Sequence, residues 1–126
     1  MSDATTIRAT IDRYLSSHSA GDIDGVVACF APDAVVEDPI GTQRHHGSDE
    51  LRAFFSGTHE LCDSMRLDLT GPVRVVGRNV AFPMMAVSKI GEMTMEIDII
   101  DVMVFDDDGR IAEMYAYWDV NEARTV

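Results

Sequence analysis

The sequence predicts an α+β domain, with helices gathered on one face of a mostly antiparallel sheet. Three observations predict it. Apolar residues recur at helical spacing through about residue 55, and at a spacing of two from Ser64 onwards. Turn residues cut the second half into short runs, at Gly71-Pro72, Gly77-Arg78-Asn79, Ile90-Gly91 and Asp108-Gly109. Helices first and strands afterwards pack as two layers, not as alternating parallel units. The chain of 126 residues, 46% hydrophobic and 25% charged, suffices for one packed core, so one domain is expected over 1–126.

Taken in order, Ile7, Ile11, Tyr14, Leu15 and His18 mark one face of a first helix, with Thr5 or Thr6 as its cap and Gly21 after its end. Asp22 caps a second, short helix carrying Ile23, Val26, Val27 and Phe30, which Pro32 and Asp33 stop. The β-branched run 34–37 reads as a strand, with Asp38 at its end and Pro39 forcing an extended exit. Residues 40–47 read as a polar loop, and Ser48 as the cap of a third helix holding Leu51, Phe54 and Phe55. Strands are expected at 64–70, 73–76, 80–88, 93–105 and 111–118.

Against 10 Lys and Arg stand 22 Asp and Glu, a formal net charge of -12. Such a surface repels phosphate backbones and anionic lipid, which sets nucleic acid and membrane surfaces aside as partners. Cys29 and Cys62 make neither a disulfide framework nor a metal-ligand spacing, so a reducing cytoplasmic setting is expected. The first residues hold no apolar h-region, so no signal peptide is expected. No apolar run approaches the roughly 18 residues of a membrane helix.

The strand at 93–105 carries the most chemical information. Its odd positions are Met93, Met95, Ile97, Ile99, Asp101, Met103 and Phe105, so six apolar residues share a face with one carboxyl group. If that face is buried, Asp101 is held protonated, because an isolated charge there is costly; a protonated carboxyl donates a hydrogen bond. Pairing with Arg or Lys, or a bulge turning the side chain to solvent, would equally account for it. Tyr14 lies on the apolar face of the first helix and is either a core tyrosine or a donor inside a pocket. His18, one turn on, reads as a helix-end histidine meeting the last carbonyls. Asp38 before Pro39 is either turn chemistry or a general base at a pocket mouth, with Glu37 on the opposite, solvated face. Asp106, Asp107 and Asp108 read as a solvated hairpin tip, not a calcium loop. No nucleophile elbow, phosphate-binding glycine loop or zinc pair is present, so any site works through carboxyl and phenol groups without metal or cofactor. Phe30, Phe55, Phe82, Met84, Met103, Met114 and Trp118 are candidates for its apolar wall. Eight methionines suit a bulky apolar ligand.

Three runs resemble the Δ5-3-ketosteroid isomerases of the NTF2-like superfamily: RYLSSHSAGD (13–22), GDIDGVVACFAPDAVVEDPIG (21–41) and IDIIDVMVFDDDGRIAEMYAYW (97–118). The similarity spans nearly the whole chain and is weakest between Ser56 and Val80. It implies a cone in which three N-terminal helices pack on the concave face of a curved sheet. It also implies a homodimer, a small apolar 3-oxo-Δ5-steroid as substrate, and isomerisation by intramolecular proton transfer through a dienolate. By the matching motifs, Asp38 takes the role of catalytic base, Tyr14 that of oxyanion-hole tyrosine, and Asp101 that of the protonated oxyanion-hole acid. Ketosteroid isomerase is a well-described case of a carboxylic acid kept neutral by an apolar site. The chain departs from the pattern at Phe55, where well-known members carry a tyrosine supporting the oxyanion tyrosine. Two rivals stand beside this expectation. One is an NTF2-like polyketide cyclase or dehydratase using His–Asp or Asp–Arg–Asp groups, for which His45 and His46, in the polar loop, offer weak support. The other is a non-catalytic steroid or lipid binder.

Overall fold

Asp3 starts the first helix in the computed structural model, which describes residues 3–126. Met1 and Ser2, the start of the stretch read for a leader, lie outside the described residues. The Asp3 carboxylate accepts the Thr6 N–H at 2.8 Å, so α1 (Ala4–Ser19) is capped just ahead of the two threonines expected to do so. Asp22 caps α2 (Ile23–Ala28) through Gly25 N–H, as expected. Phe30 does not belong to that helix. It opens β1 (Phe30–Glu37), where it pairs with Ile111, while Ile111 N–H donates to Cys29 O at 2.9 Å. Pro32 and Asp33 fall inside β1, where the register slips between Phe30 and Val35; a residue lacking its N–H is tolerated where the ladder is interrupted.

The polar loop contains a short strand, β2 (Arg44–His46), paired antiparallel to the end of β1. Gly47, with φ of 85°, and not Ser48, is the N-cap of α3 (Ser48–Glu60), and no side chain caps that end. Five strands follow: β3 (Ser64–Leu69), β4 (Arg74–Val76), β5 (Asn79–Ile90), β6 (Met93–Phe105) and β7 (Ile111–Tyr117). A 3-10 turn (Val120–Glu122) leads to β8 (Arg124–Thr125), a pairing with Met95 and Glu96 too short to leave a periodic signal.

The strands form one mixed, curved and unclosed sheet in the order β2-β1-β7-β6-β5-β3, with β4 on β5 and β8 on β6. Among the described residues only β1 and β7 run parallel. With three helices, this is the α+β cone the sequence predicts. Alternation places one face of each strand inward. Val36, Met114, Met103 and Val80 stand in one transverse row, linked by register, and all are buried. Helix α1 crosses that face from the β6–β7 hairpin, where Thr10 Oγ1 donates to Gly109 O at 2.8 Å, toward β3, where Leu67 N–H donates to Ser19 Oγ at 3.0 Å. Arg78 pairs with Asp107 at the hairpin tip, and Asp106 Oδ1 accepts the N–H groups of Asp108 and Arg110.

Gly109 holds α1 and the hairpin together in two ways. Its φ is 78°, and a Cβ there would come 2.6 Å from Thr6 Cγ2. Gly109→Ala is therefore expected to destabilise the fold by roughly 1–2 kcal/mol or more, read as a lower urea midpoint with an unchanged slope.

Candidate active site

The parallel pairing of β1 and β7 builds the site. Glu37, the last residue of β1, lies beside Tyr115, two residues before the end of β7, so Asp38 and Trp118 emerge from neighbouring strands at the same end of the sheet. Ile40 N–H then donates to Ala116 O at 2.8 Å, and Trp118 Nε1–H to Asp38 Oδ1 at 2.6 Å. The β1–β7 register extended by one residue sets Asp38 level with Ala116, which is paired with Asp101, itself paired with Phe82. Asp38 and Asp101 thus share one transverse row, two strands apart, roughly 10 Å between backbones. Ala116, itself buried, stands between them. Glu37 faces the other way, where it accepts Gly41 N–H and pairs with Arg44 at 3.2 Å.

Asp101 is wholly buried, and neither carboxyl oxygen has a hydrogen-bond partner among the described residues. The odd face of β6 is the inward one, and among the described residues no cation pairs with Asp101. Burial, and secondarily the negative charge of Asp38, push the Asp101 carboxyl well above the ordinary carboxylate range. Tyr14, on the inner face of α1, is likewise buried. Its phenol is held well above its usual value by burial and then by the charges of Asp101 and Asp38. Its hydroxyl has one weak contact, to Met114 Sδ at 3.3 Å. Burial also raises Asp38, while the Trp118 hydrogen bond and the charge of His45 act the other way. His45 stacks on Phe54 with ring centres 4.3 Å apart.

A cavity of about 230 Å³ opens along the inner sheet face beside this row. Its floor follows the next rows outward, with Met84 and Ile99, then Ala86 and Ile97, and Tyr14, His18 and Asp38 border it. Of the residues expected to form its wall, Phe55, Met84 and Trp118 do so. Phe30, Phe82, Met103 and Met114 do not. They belong to the core beneath, because they occupy or adjoin the rows on the far side of Asp101. Asp101 extends the cavity row of Ile97 and Ile99 one step into that core. Trp118 has a part the sequence did not suggest, holding Asp38, because a parallel neighbour cannot be read from a meander of strand signals.

His18 corrects another expectation. It turns inward, not toward the helix-end carbonyls, and its Nδ1 meets His59 Nε2 at 2.9 Å. Burial, then repulsion by His59, lowers it to about 3. Among the described residues no three His, Cys, Asp or Glu side chains converge to hold a metal ion, and no helix is long and apolar enough to cross a membrane.

The SnoaL-like domain model matches residues 11–114. The chain belongs to the SnoaL-like family. Within its NTF2-like architecture, this SnoaL-like chain is 32% identical over 112 residues, 89% of each chain, to the steroid Delta-isomerase of Nocardioides simplex. Its fold superposes with a TM-score of 0.86 on SalBIII, an epoxide hydrolase/cyclase-like enzyme of pyran ring formation in the polyether salinomycin. That likeness covers all of both chains at 22% identity, and it is one of fold.

The carboxyl of Asp101 leaves a mark on stability. Its folded-state value is raised above the 3.8 of a free carboxyl, so the stability it contributes is present at low pH and lost as pH rises. Asp101→Asn, which does not ionise, is expected to be more stable than wild type at pH 7, with the gap shrinking as the pH falls toward about 4 and absent below it. Urea denaturation at several pH values measures it.

Proposed function

We propose that this SnoaL-like protein is a steroid Δ-isomerase that moves a double bond from Δ5 to Δ4 in a 3-oxo steroid. The homology to a steroid Delta-isomerase supports an isomerase. The observation that carries the finer claim is the row Asp38–Ala116–Asp101 beneath Tyr14, with one acid tethered at the cavity edge and the other buried without a partner.

Asp38 removes a proton from the carbon between the 3-carbonyl and the 5,6 double bond. Negative charge moves to the carbonyl oxygen as the dienolate forms. Tyr14 and protonated Asp101 donate hydrogen bonds to that oxygen, most strongly once the charge has developed. Asp38 then returns the proton two carbons further along, giving the conjugated enone. The base must be ionised to begin, and the Trp118 hydrogen bond favours that form against the burial that opposes it. The oxyanion donor must be neutral, and Asp101 sits where ionisation is most costly. Phe55, in place of a supporting tyrosine, brings no hydroxyl to Tyr14, whose proton makes only a weak bond to Met114 Sδ that a ligand oxygen would replace.

The assay mixes the protein with 5-androstene-3,17-dione and follows the ultraviolet absorbance of the conjugated product. Asp38→Asn is expected to lower kcat by roughly 10²–10⁴-fold. Asp101→Leu is expected to lower kcat by roughly 10²–10³-fold with little change in KM. Weaker affinity with an unchanged kcat in Asp101→Leu would contradict the oxyanion role. Binding without turnover in wild type would make the protein a carrier.

A further inference from the structure

One residue lining the cavity carries a buried polar atom with no part in the chemistry above. His18 is 3% exposed, and its Nε2 has no hydrogen-bond partner among the described residues. The ring is packed on three sides. Tyr14 meets it edge-on at 4.7 Å, Phe55 edge-on at 5.1 Å, and the nearly coplanar His59 engages its Nδ1. The remaining nitrogen belongs to a ring that lines the cavity. A histidine so placed is an odd choice for an apolar wall, since an aliphatic residue would fill the space without a buried unpaired nitrogen.

We infer that His18 is a specificity-determining residue that accepts or donates one hydrogen bond through Nε2 to a second oxygen on the ligand, about one helical turn along from the oxygen held at Tyr14. The inference rests on the oxyanion reading above and deepens it: the substrate is an apolar ketone bearing a further hydroxyl or keto oxygen on the same end of the molecule. Helical rise sets the offset, since positions four apart on α1 lie about 6 Å along its axis. The pair is built for either polarity. When His59 Nε2 carries the proton, His18 Nδ1 accepts it and Nε2–H donates. When His18 Nδ1 carries the proton, Nε2 accepts. His59 is only half-buried and also borders an outer surface cleft with Asp63 and Ser64, so its far nitrogen can meet solvent in either state. A hydroxyl, being donor and acceptor, satisfies both arrangements.

The test is a pair of matched probes, 2-naphthol and its dihydroxynaphthalene isomers, titrated calorimetrically into wild type, His18→Leu and Tyr14→Phe. At least one dihydroxy isomer is expected to bind wild type about tenfold more tightly than 2-naphthol, and in His18→Leu the ratio of the two affinities is expected to fall to about one. In ring-15N-labelled wild type, the His18 Nε2 resonance is expected to move with that isomer and not with 2-naphthol, which keeps the inference testable if His18→Leu does not fold. A preference that persists in His18→Leu, no preference for any isomer, or an unmoved Nε2 resonance would each overturn it. Tyr14→Phe reports separately: if 2-naphthol binding is unchanged by that substitution, the oxyanion reading fails, and the His18 inference with it.

Discussion

A carboxyl group buried without a partner is the constraint around which this molecule is arranged. Asp101 could have been neutralised by an arginine or turned outward by a bulge, and neither occurs. Desolvation of the ion is costly, so burial pushes the acid toward its neutral form, in which a carboxyl can donate a hydrogen bond. Everything that keeps it so is plain packing: Phe82 on one side, Ala116 on the other, and Met103 beneath. The second acid in the same row has another environment. Asp38 stands where the strands end, held by an indole N–H and near an imidazole, with the cavity beside it. Burial raises both acids, Asp101 the further, and only Asp38 accepts a hydrogen bond that favours its ionised form.

Much of this was legible in the residues. The alternation along β6 located the one acid on an apolar face, and the face proved to be the inward one because its neighbours Ile99, Met103 and Phe105 also turn in. The period of α1 put Tyr14 and His18 on its buried side. The helix-then-strand order carried the fold class. Failures occurred where structure is decided by something other than period. Phe30 matched the helical spacing of α2, yet its pairing with Ile111 across the sheet overrides local preference. The cap of α3 is a glycine chosen by its backbone geometry, which a search for cap-forming side chains passes over.

The site was less legible than the fold, for a physical reason. Which apolar residue lines a cavity and which fills the core behind it depends on the row it occupies, and rows are set by register between strands far apart in sequence. Phe82 and Met84 lie two residues apart on one strand and face the same way, but a register row separates core from cavity wall. Trp118 and Asp38 are brought together by the parallel pairing, and His18 and His59 meet only because α1 and α3 converge on the same end of the sheet.

The most direct test is the protonation of Asp101 itself. With 13C-labelled aspartate, and Asp101→Asn to assign the signal, the carboxyl carbon resonance is followed between about pH 5 and 8, a window in which an ordinary carboxylate is ionised. The account predicts the shift of a protonated acid, unchanged across that range. A carboxylate shift for Asp101 at pH 7 would contradict it.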